Sequence, residues 1–220
     1  MPQLFREAFW YEPSRRPVLK HDTYICIKRA VDVFFCLAAI PIVLPILALC
    51  VISIRIDSPG PAFFFQMRTG KGGRRFKMYK LRTMVKNAAE LKAKYMHLNE
   101  LTLPDFKITN DPRLTRVGRF LRRTSLDELP QILNVLLGQM TLVGPRPTSF
   151  SADTYRLWHT ARLNAKPGLT GLWQISGRSD VDFDERLRLD IAYLRHQSLW
   201  LDLQILVRTA TCVFDGKGAR

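Results

Sequence analysis

A long apolar run extends from Val33 to Ile54, where 22 residues carry no charge. A helix rises about 1.5 Å per residue, so a run of this length is enough to cross a hydrocarbon core of ~30 Å. Pro41 and Pro45 lie near its middle, and each removes a backbone donor and clashes with the preceding helical turn. We therefore expect a membrane helix that bends or breaks at these prolines.

The charges that flank this run bear on how it enters lipid. Lys28 and Arg29 precede it, and Arg55 and Arg68 follow it, so both ends favour the cytoplasmic side. A single kinked span is the ordinary interpretation of one apolar run, but two basic flanks and paired prolines favour a re-entrant helix. Asp32, at the edge of the run, is most simply an interfacial ion pair with Arg29.

Beyond the apolar run, the polar and apolar pattern predicts two short strands and several helices. The β-like stretches 62–66 and 76–81 enclose a glycine-rich basic turn, which predicts a hairpin that presents cations. Its glycines match neither GxxxxGK[ST] nor GxGxxG, so a turn is favoured over a phosphate-binding loop. Helical periodicity follows over 85–98 and 184–207, and Trp200 in the second segment suits a membrane interface.

Composition adds an electrostatic constraint. The chain has 220 residues, 47% of them hydrophobic, which favours one packed domain. Its 34 Lys and Arg against 19 Asp and Glu give a net charge of +15, so the partner is expected to be nucleic acid, an acidic lipid surface or a phosphorylated substrate. Most of the excess lies in residues 55–123. The four cysteines lack CxxC spacing and are interpreted as apolar fillers in a reducing compartment.

A pair of acids directly follows this basic region. Asp127 and Glu128 lie where an amphipathic helix is expected to begin, and Ser125 completes a capping-box pattern with Glu128. Pro130 is tolerated only near a helix start and supports the same boundary. Capping alone would explain Glu128 and part of Asp127. The same setting also attracts phosphate, and an ionised carboxylate there can hold Mg²⁺ or attack phosphorus.

Two further motifs offer cations. Pro145 and Pro147 restrict the backbone on either side of Arg146, so its guanidinium is rigidly aimed and suits bidentate phosphate binding. The turn-rich segment 166–179 contains Arg178 and could close over a nucleotide. Taken alone, the short motif around Arg146 would more often be an ordinary structural loop.

Five motifs in order resemble those of one family, the bacterial sugar transferases known as monotopic phosphoglycosyl transferases. The resemblance runs from about Lys28 to Phe214 through KRAVDVFF, SPGPAFFFQMRTGKGGRRFKMYKLRTM, DPRLTRVGRFLRRTSLDELPQ, LLGQMTLVGPRP and PGLTGLWQISGRS. It implies an N-terminal segment 1–28 and a re-entrant helix-break-helix over 29–56, bent at Pro45 or Pro41. Residues 57–220 would form a compact α/β, mostly helical cytoplasmic catalytic unit with a small β-hairpin and amphipathic interfacial helices.

The resemblance also implies a chemistry. The family's Asp nucleophile and Mg²⁺-holding Glu correspond to Asp127 and Glu128. The phosphate- or nucleotide-contacting residues that it implies are Arg122, Arg146, Arg178, Lys80 and Arg82. The reaction would pass sugar 1-phosphate from a UDP-sugar to polyprenyl (undecaprenyl) phosphate through a covalent phosphosugar on Asp127, with release of UMP. It would take place on the cytoplasmic face of the bacterial inner membrane, as the first membrane step of glycoconjugate or exopolysaccharide synthesis.

Several expectations complete this interpretation. Anionic lipids are expected as further partners, and the chain could form a homodimer. No residue in the sequence indicates which sugar is transferred. About thirty residues precede the apolar run, which suggests the minimal form of the family without additional spans. A basic nucleic-acid-binding protein is an alternative, but an uncharged 22-residue segment and the lack of a known nucleic-acid-binding signature oppose it. A non-catalytic scaffold is another, although it would be expected to lose the Asp-Glu pair or Arg146.

Overall fold

The computed structural model describes residues 21–100, 106, 108–176 and 183–214. This part of the chain is mostly helical, with two small two-stranded sheets. The helices are α1 His21–Asp57, α2 Ala88–Lys94, α3 Arg116–Arg123, α4 Gln131–Leu136, α5 Leu172–Ser176, α6 Phe183–His196 and α7 Leu199–Phe214. The strands are β1 Phe63–Thr69, β2 Arg75–Leu81, β3 Thr141–Val143 and β4 Gly168–Thr170; β1 and β2 pair antiparallel, β3 and β4 parallel.

Helix α1 continues without interruption through Pro41 and Pro45. It is long and apolar enough to cross a membrane, with a mean hydropathy of 2.9 in its most apolar stretch. Large apolar side chains along this stretch are exposed, including Ile42 at 68% and Leu49 at 66%. A proline can bend a helix without ending it, so the structure shows one long apolar helix here. The re-entrant arrangement over 29–56 stays a prediction.

Both ends of α1 pack against the rest of the chain. Near its start, Tyr24 and Lys28 contact the carboxylate of Asp202 in α7 at 2.9 Å and 2.6 Å. Near its end, Cys50 and Ile54 are buried in a cluster with apolar residues of β2 and α3. The exposed stretch of α1 therefore lies between two points that are attached to the same folded unit.

The ion pair expected between Asp32 and Arg29 is wrong. Asp32 is only 4% exposed and accepts hydrogen bonds from Thr141 Oγ1 at 2.6 Å and from the next backbone N–H of β3 at 3.0 Å. Arg29 donates to two carbonyl oxygens in the last turn of α4, at 2.6 Å and 2.8 Å. Carbonyl groups at a helix end lack partners within the helix, so Arg29 finds better acceptors there than in its neighbour.

The predicted hairpin is confirmed by β1 and β2, whose register pairs Phe64 with Lys80 and Thr69 with Arg75. Strand β2 contributes Met78 and other apolar side chains to the core. Strand β1 carries three consecutive phenylalanines, Phe63 to Phe65, each more than half exposed. The hairpin therefore packs through β2 and leaves an apolar surface on β1.

The other predicted elements are confirmed with changed boundaries. The segment 85–98 contains α2 and a 3-10 turn at Met96–Leu98, and the segment 184–207 divides between α6 and α7. Trp200, expected at an interface, is 68% exposed. The parallel pair β3 and β4 was not predicted, because strands of three residues are too short to show a period. With α5, α6 and α7 these strands surround a core cluster that includes Tyr193 and Ile205.

Candidate active site

The carboxylate pair lies in a 3-10 turn, Leu126–Glu128, between α3 and α4. Ser125 begins the turn in the left-handed conformation, with φ 57°, and its side chain makes no capping hydrogen bond. The prediction of a capping box is therefore wrong, because the chain turns at Ser125. The N–H of Glu128 donates instead to the backbone carbonyl oxygen of Ser125, at 3.2 Å. The helix expected to begin at the carboxylate pair begins only at Gln131, directly after Pro130, so the predicted start lies several residues too early. Asp127 is buried, at 6% exposure.

Glu128 is held by two cations that share one of its oxygen atoms. Lys80 Nζ, from β2, and a terminal nitrogen of Arg146 each lie 2.8 Å from Glu128 Oε1. Burial raises the pKa of Glu128, but the positive charges of Arg146 and Lys80 outweigh burial and hold that pKa below its ordinary value. Glu128 is therefore ionised at neutral pH.

Asp127 experiences the opposite balance. Burial raises the pKa of Asp127 above its ordinary value, and the charge of Lys80, whose Nζ lies 3.6 Å from Oδ2, only partly opposes this. The negative charge of Glu128 shifts the pKa of Asp127 further upward. A carboxylate with a raised pKa is more basic and, while still ionised, a better nucleophile. The two adjacent acids are thus suited to different roles.

The predicted phosphate-binding residues fall in different places. Lys80 and Arg146 contact the carboxylate pair directly, as described above. Arg122 Nε donates to Thr83 Oγ1 at 3.1 Å, and its charge lowers the pKa of Asp127. Arg82 instead donates to the oxygen atoms of Ser58 and to the next carbonyl in the turn after α1, so it stabilises that turn. Arg178 lies outside the described residues.

Close backbone packing fixes the loop that carries Arg146. The N–H of Gly144 donates to the carbonyl oxygen of Thr170, and that of Gly168 donates to Pro145, each at 2.9 Å. A Cβ atom added at Gly168 would lie 2.2 Å from the backbone nitrogen of Gly144. The two strands can approach this closely only because both residues are glycines. This contact sets the position from which Arg146 reaches Glu128.

Arg68 of β1 belongs to the same site, although the sequence did not single it out. Its guanidinium donates to Gln66 Oε1 at 2.6 Å. Burial lowers the pKa of Arg68 to about 10, and the nearby charge of Arg146 acts in the same direction. The basic hairpin pattern indicated cations in general, but the strand register decides which of them faces the carboxylate pair.

A cleft of about 130 Å³ opens beside Arg146. Its lining includes four arginines, Arg68, Arg146, Arg162 and Arg186, together with the aromatic side chains Trp173 and Phe183 and the carboxylate of Asp190. Arg162 pairs with Asp190 at 2.5 Å and also donates to the carbonyl oxygen of Arg146. The cleft thus combines positive charge with aromatic rings, which suits an anionic ligand with a planar group.

Glu128 is also the candidate ligand of a divalent cation. The described residues contain no group of three or more His, Cys, Asp and Glu side chains placed to hold a metal ion. Mg²⁺ commonly uses only one or two carboxylates and completes its coordination with water and substrate phosphates. Lys80 and Arg146 both contact Glu128 through Oε1, which leaves Oε2 as the oxygen for an ion. The residues present therefore fit Mg²⁺.

The fold and the site together define a domain with a cationic centre around a carboxylate pair and a long exposed apolar helix. Comparison with known proteins agrees with this class, because residues 23–216 match the family described as bacterial sugar transferase. The chain belongs to that family, and the resemblance seen in its five motifs is confirmed.

Three relatives show which proteins this chain is similar to. The undecaprenyl-phosphate galactose phosphotransferase of Salmonella typhimurium is 42% identical over 198 residues, covering 88% of this chain and 41% of the relative. The UDP-glucose:undecaprenyl-phosphate glucose-1-phosphate transferase of Xanthomonas campestris is 38% identical over 215 residues, covering 93% and 42%. An exopolysaccharide production protein of Rhizobium meliloti is 38% identical over 199 residues, covering 87% of each. The chain therefore spans less than half of the first two relatives.

Proposed function

We propose that this protein transfers a sugar 1-phosphate from a UDP-sugar to polyprenyl phosphate, with undecaprenyl phosphate as the acceptor suggested by the names of two relatives. The observation that carries the proposal is the pair Asp127 and Glu128, whose pKa values shift in opposite directions within a cluster of cations. One buried acid is suited to attack phosphorus, and its neighbour remains an anion that cations or a metal ion can bind. The named Rhizobium relative favours exopolysaccharide synthesis as the pathway served.

In the first half-reaction, a carboxylate oxygen of Asp127 attacks the β-phosphorus of the UDP-sugar. The bond from that phosphorus to the bridging oxygen breaks, and UMP leaves with the bonding electron pair. The sugar phosphate remains on Asp127 as an acyl phosphate. Lys80, Arg122 and Arg146 surround the carboxylate pair and offset the negative charge of the reacting phosphates, which is the main demand of phosphoryl transfer.

In the second half-reaction, a phosphate oxygen of the polyprenyl phosphate attacks the phosphorus of the adduct. The bond between that phosphorus and Asp127 breaks, which yields polyprenyl-diphosphate-sugar and restores the free carboxylate. The attacking phosphate monoester is largely ionised at neutral pH, since its second pKa is about 6. The residues around Asp127 therefore need to bind and orient the acceptor, and no side chain has to remove a proton.

Mg²⁺ is the proposed cofactor, with Glu128 as its ligand and Asp127 beside it. When bound, the ion would neutralise charge on the diphosphate and on the departing phosphate. Glu128 is suited to this role because two cations keep it ionised through Oε1. The same cations hold the carboxylate in one orientation before any substrate arrives.

We further propose that α1 enters the inner membrane as a re-entrant hairpin and leaves the rest of the described chain on the cytoplasmic face. The two attached ends of α1, its exposed apolar stretch and its two basic flanks support this arrangement. The exposed phenylalanines Phe63 to Phe65 and Trp200 would then meet lipid. Anionic lipids are expected partners because of the net charge of +15.

A mass measurement tests the covalent mechanism. The purified protein is incubated in detergent with Mg²⁺ and a panel that includes UDP-galactose and UDP-glucose, while UMP release and intact mass are followed. The proposal expects a mass gain of one sugar phosphate that Asp127→Asn abolishes and the control Glu90→Gln, an exposed acid on α2, preserves. UMP release that needs acceptor and survives Asp127→Asn would instead indicate direct transfer. If none of the UDP-sugars in the panel reacted, the result would favour a non-catalytic scaffold.

A further inference from the structure

The cleft beside Arg146 has a ligand chemistry distinct from that of the carboxylate pair. Its volume of about 130 Å³ is below the ~300 Å³ at which sites for whole small molecules begin, so it accommodates part of a larger ligand. Asp127 and Glu128 are not among its lining residues, whereas Arg146 lines it and also contacts Glu128 at 2.8 Å. A ligand that reacts at Asp127 can therefore extend past Arg146 into the cleft.

One wall of the cleft is positively charged. Arg68 and Arg146 lie close enough that the charge of Arg146 acts on the pKa of Arg68, which burial lowers to about 10. Of the other two guanidinium groups, that of Arg162 is paired with Asp190 at 2.5 Å and that of Arg186 lies over aromatic rings. An anion between Arg68 and Arg146 would relieve their repulsion and replace lost hydration. These two arginines are the natural partners of a phosphate group.

Asp190 is the one carboxylate among the described residues that line the cleft, and it is buried. Asp190 is 1% exposed, and its Oδ2 pairs with Arg162. Its Oδ1 has no hydrogen-bond partner of normal geometry within the described ranges, and the nearby backbone N–H of Arg146 only partly opposes burial, which raises the pKa of Asp190 to about 6. A buried carboxylate oxygen without a donor is unfavourable and is expected to bind one from a water molecule or a ligand. The rings of Trp173 and Phe183 line the same cleft with the guanidinium of Arg186 over them, at 5.5 Å and 5.9 Å. A flat ligand group can pack against this aromatic and cationic surface beside the acceptor.

The geometry of displacement at phosphorus indicates which part of the donor belongs here. The nucleophile and the leaving group lie roughly in line on opposite sides of the phosphorus. The sugar stays with the phosphorus on Asp127, and the nucleotide departs on the far side. A neutral sugar also offers no charge for Arg68 and Arg146, whereas the phosphate of UMP does. The cleft is thus better matched to the leaving nucleotide than to the sugar.

We propose that the cleft holds the UMP half of the donor, with Arg68 and Arg146 on its phosphate and Asp190 Oδ1 accepting a hydrogen bond from N3–H of uracil. This inference rests on the proposed function, because it takes a UDP-sugar as the donor. Uracil presents N3–H between two carbonyl oxygens, whereas cytosine presents an unprotonated N3 whose lone pair a carboxylate repels. Asp190 is therefore a specificity-determining residue that favours uridine over cytidine nucleotides.

Product binding provides a test that needs no chemistry. Calorimetry with the full chain in detergent and Mg²⁺ compares UMP, N3-methyl-UMP and CMP. We expect N3-methyl-UMP and CMP to bind at least tenfold more weakly than UMP. Equal binding of UMP and N3-methyl-UMP would overturn the role of Asp190, and it would leave the mass-adduct result for Asp127 unaffected.

Matched variants separate base recognition from structural support. In Asp190→Asn the amide can donate to N3 of cytosine, so the UMP to CMP affinity ratio should fall by at least tenfold. Glu185→Gln, a more exposed acid on the same helix with a side-chain exposure of 40%, should leave that ratio unchanged. If Asp190 had only a structural role, Asp190→Asn would weaken the binding of UMP and CMP equally. An unchanged affinity ratio would therefore overturn the inference. If Asp190→Asn does not fold, the N3-methyl comparison with the unsubstituted chain decides.

The phosphate half of the proposal has its own variant. Arg68→Gln should weaken the binding of UMP at least tenfold and change the binding of uridine less than twofold, because only UMP carries the phosphate. Equal losses for UMP and uridine would remove Arg68 from phosphate binding.

Discussion

At the scale of single residues, two adjacent acids acquire different properties from their neighbours. Glu128 binds two cations through Oε1, each at 2.8 Å, whereas Asp127 is buried and its Oδ2 lies 3.6 Å from Lys80 Nζ. Burial raises the pKa of both acids, and only for Glu128 do the cations outweigh it. Such a separation allows one acid to react while the other stays an anion.

The first prediction concerns the pH dependence of adduct formation. Burial raises the pKa of Asp127, and its nucleophilic form is the carboxylate. The rate should therefore fall with decreasing pH at values above the ordinary aspartate pKa of ~3.9. The pKa of Glu128 is lowered, so Glu128 stays ionised from neutral pH down to below the ordinary glutamate pKa. The loss of rate at higher pH is therefore not caused by Glu128. Single-turnover rates measure the profile.

Circular dichroism at each pH separates this loss from unfolding. A fully folded protein whose rate declines only at or below pH ~3.9 would contradict the assignment of Asp127.

The second prediction concerns Glu128→Gln. The amide keeps the shape of the side chain but removes the charge that binds Lys80, Arg146 and the proposed Mg²⁺. We expect adduct formation to slow by roughly 10²-fold, the usual scale for loss of one electrostatic contact at a transition state. We also expect a higher Mg²⁺ concentration for half-maximal rate. An unchanged Mg²⁺ dependence would argue against Glu128 as the metal ligand.

At the scale of elements, the site depends on close contacts between short segments. Strands β3 and β4 hold the loop of Arg146, and α1 holds both α4 and β3 through Arg29 and Asp32. Segments this short have little stability alone. Their positions therefore depend on the tertiary contacts at their ends.

The third prediction tests the contact of β3 with β4. Gly168→Ala places a Cβ atom 2.2 Å from the backbone nitrogen of Gly144, so the strands must separate. We expect a loss of about 1–3 kcal/mol in the free energy of unfolding, typical of overpacking, with reduced adduct formation because Arg146 moves. Gly72→Ala is the comparison, since its added Cβ meets nothing within 4 Å although its φ is +64°. A smaller loss at Gly168 than at Gly72 would be inconsistent with this packing.

The fourth prediction tests the attachment of α1 to β3. Asp32→Asn replaces a carboxylate that accepts two hydrogen bonds, and one amide group cannot reproduce both with equal strength. We expect a loss of roughly 1–3 kcal/mol from a buried polar group that is poorly paired. Asp22→Asn, an exposed site on the same helix, should change stability little. Denaturation of both variants in detergent gives the comparison, and equal stabilities would refute it.

At the scale of the whole molecule, the unusual feature is the amount of apolar surface left exposed. The apolar stretch of α1, the phenylalanines of β1 and Trp200 are all exposed. Apolar patches of this extent mark interaction surfaces. With a net charge of +15, these surfaces support the anionic membrane that we propose as a partner.

The fifth prediction tests the topology of α1 by labelling. Cys26, exposed near the start of α1, is kept as the only native cysteine by replacing the other three with serine. A second protein carries instead one cysteine at Lys71, in the hairpin turn. A re-entrant helix predicts that a membrane-impermeant maleimide labels both sites from the cytoplasmic side. Labelling of Cys26 only from the opposite side would show a single span.

Local sequence patterns were sufficient where neighbouring residues decide the structure. Two β-like stretches around a glycine-rich basic turn predict the hairpin, and an uncharged run predicts α1. The same reasoning was wrong for Ser125 and Asp32. The partner of Asp32 lies 109 residues away, and no local pattern contains information about such a contact.

The sequence by itself determined the family and the apolar and basic character of the chain, and it singled out the two acids that we propose as the reactive pair. Only the tertiary structure decided what each acid can do. In the folded chain, Lys80 from β2 and Arg146 from the loop after β3 contact the same oxygen of Glu128, and Asp127 is buried beside them. Arg82 binds a different turn, the one after α1. The reason is physical, because a pKa depends on burial and on charges within a few ångströms, and folding sets both.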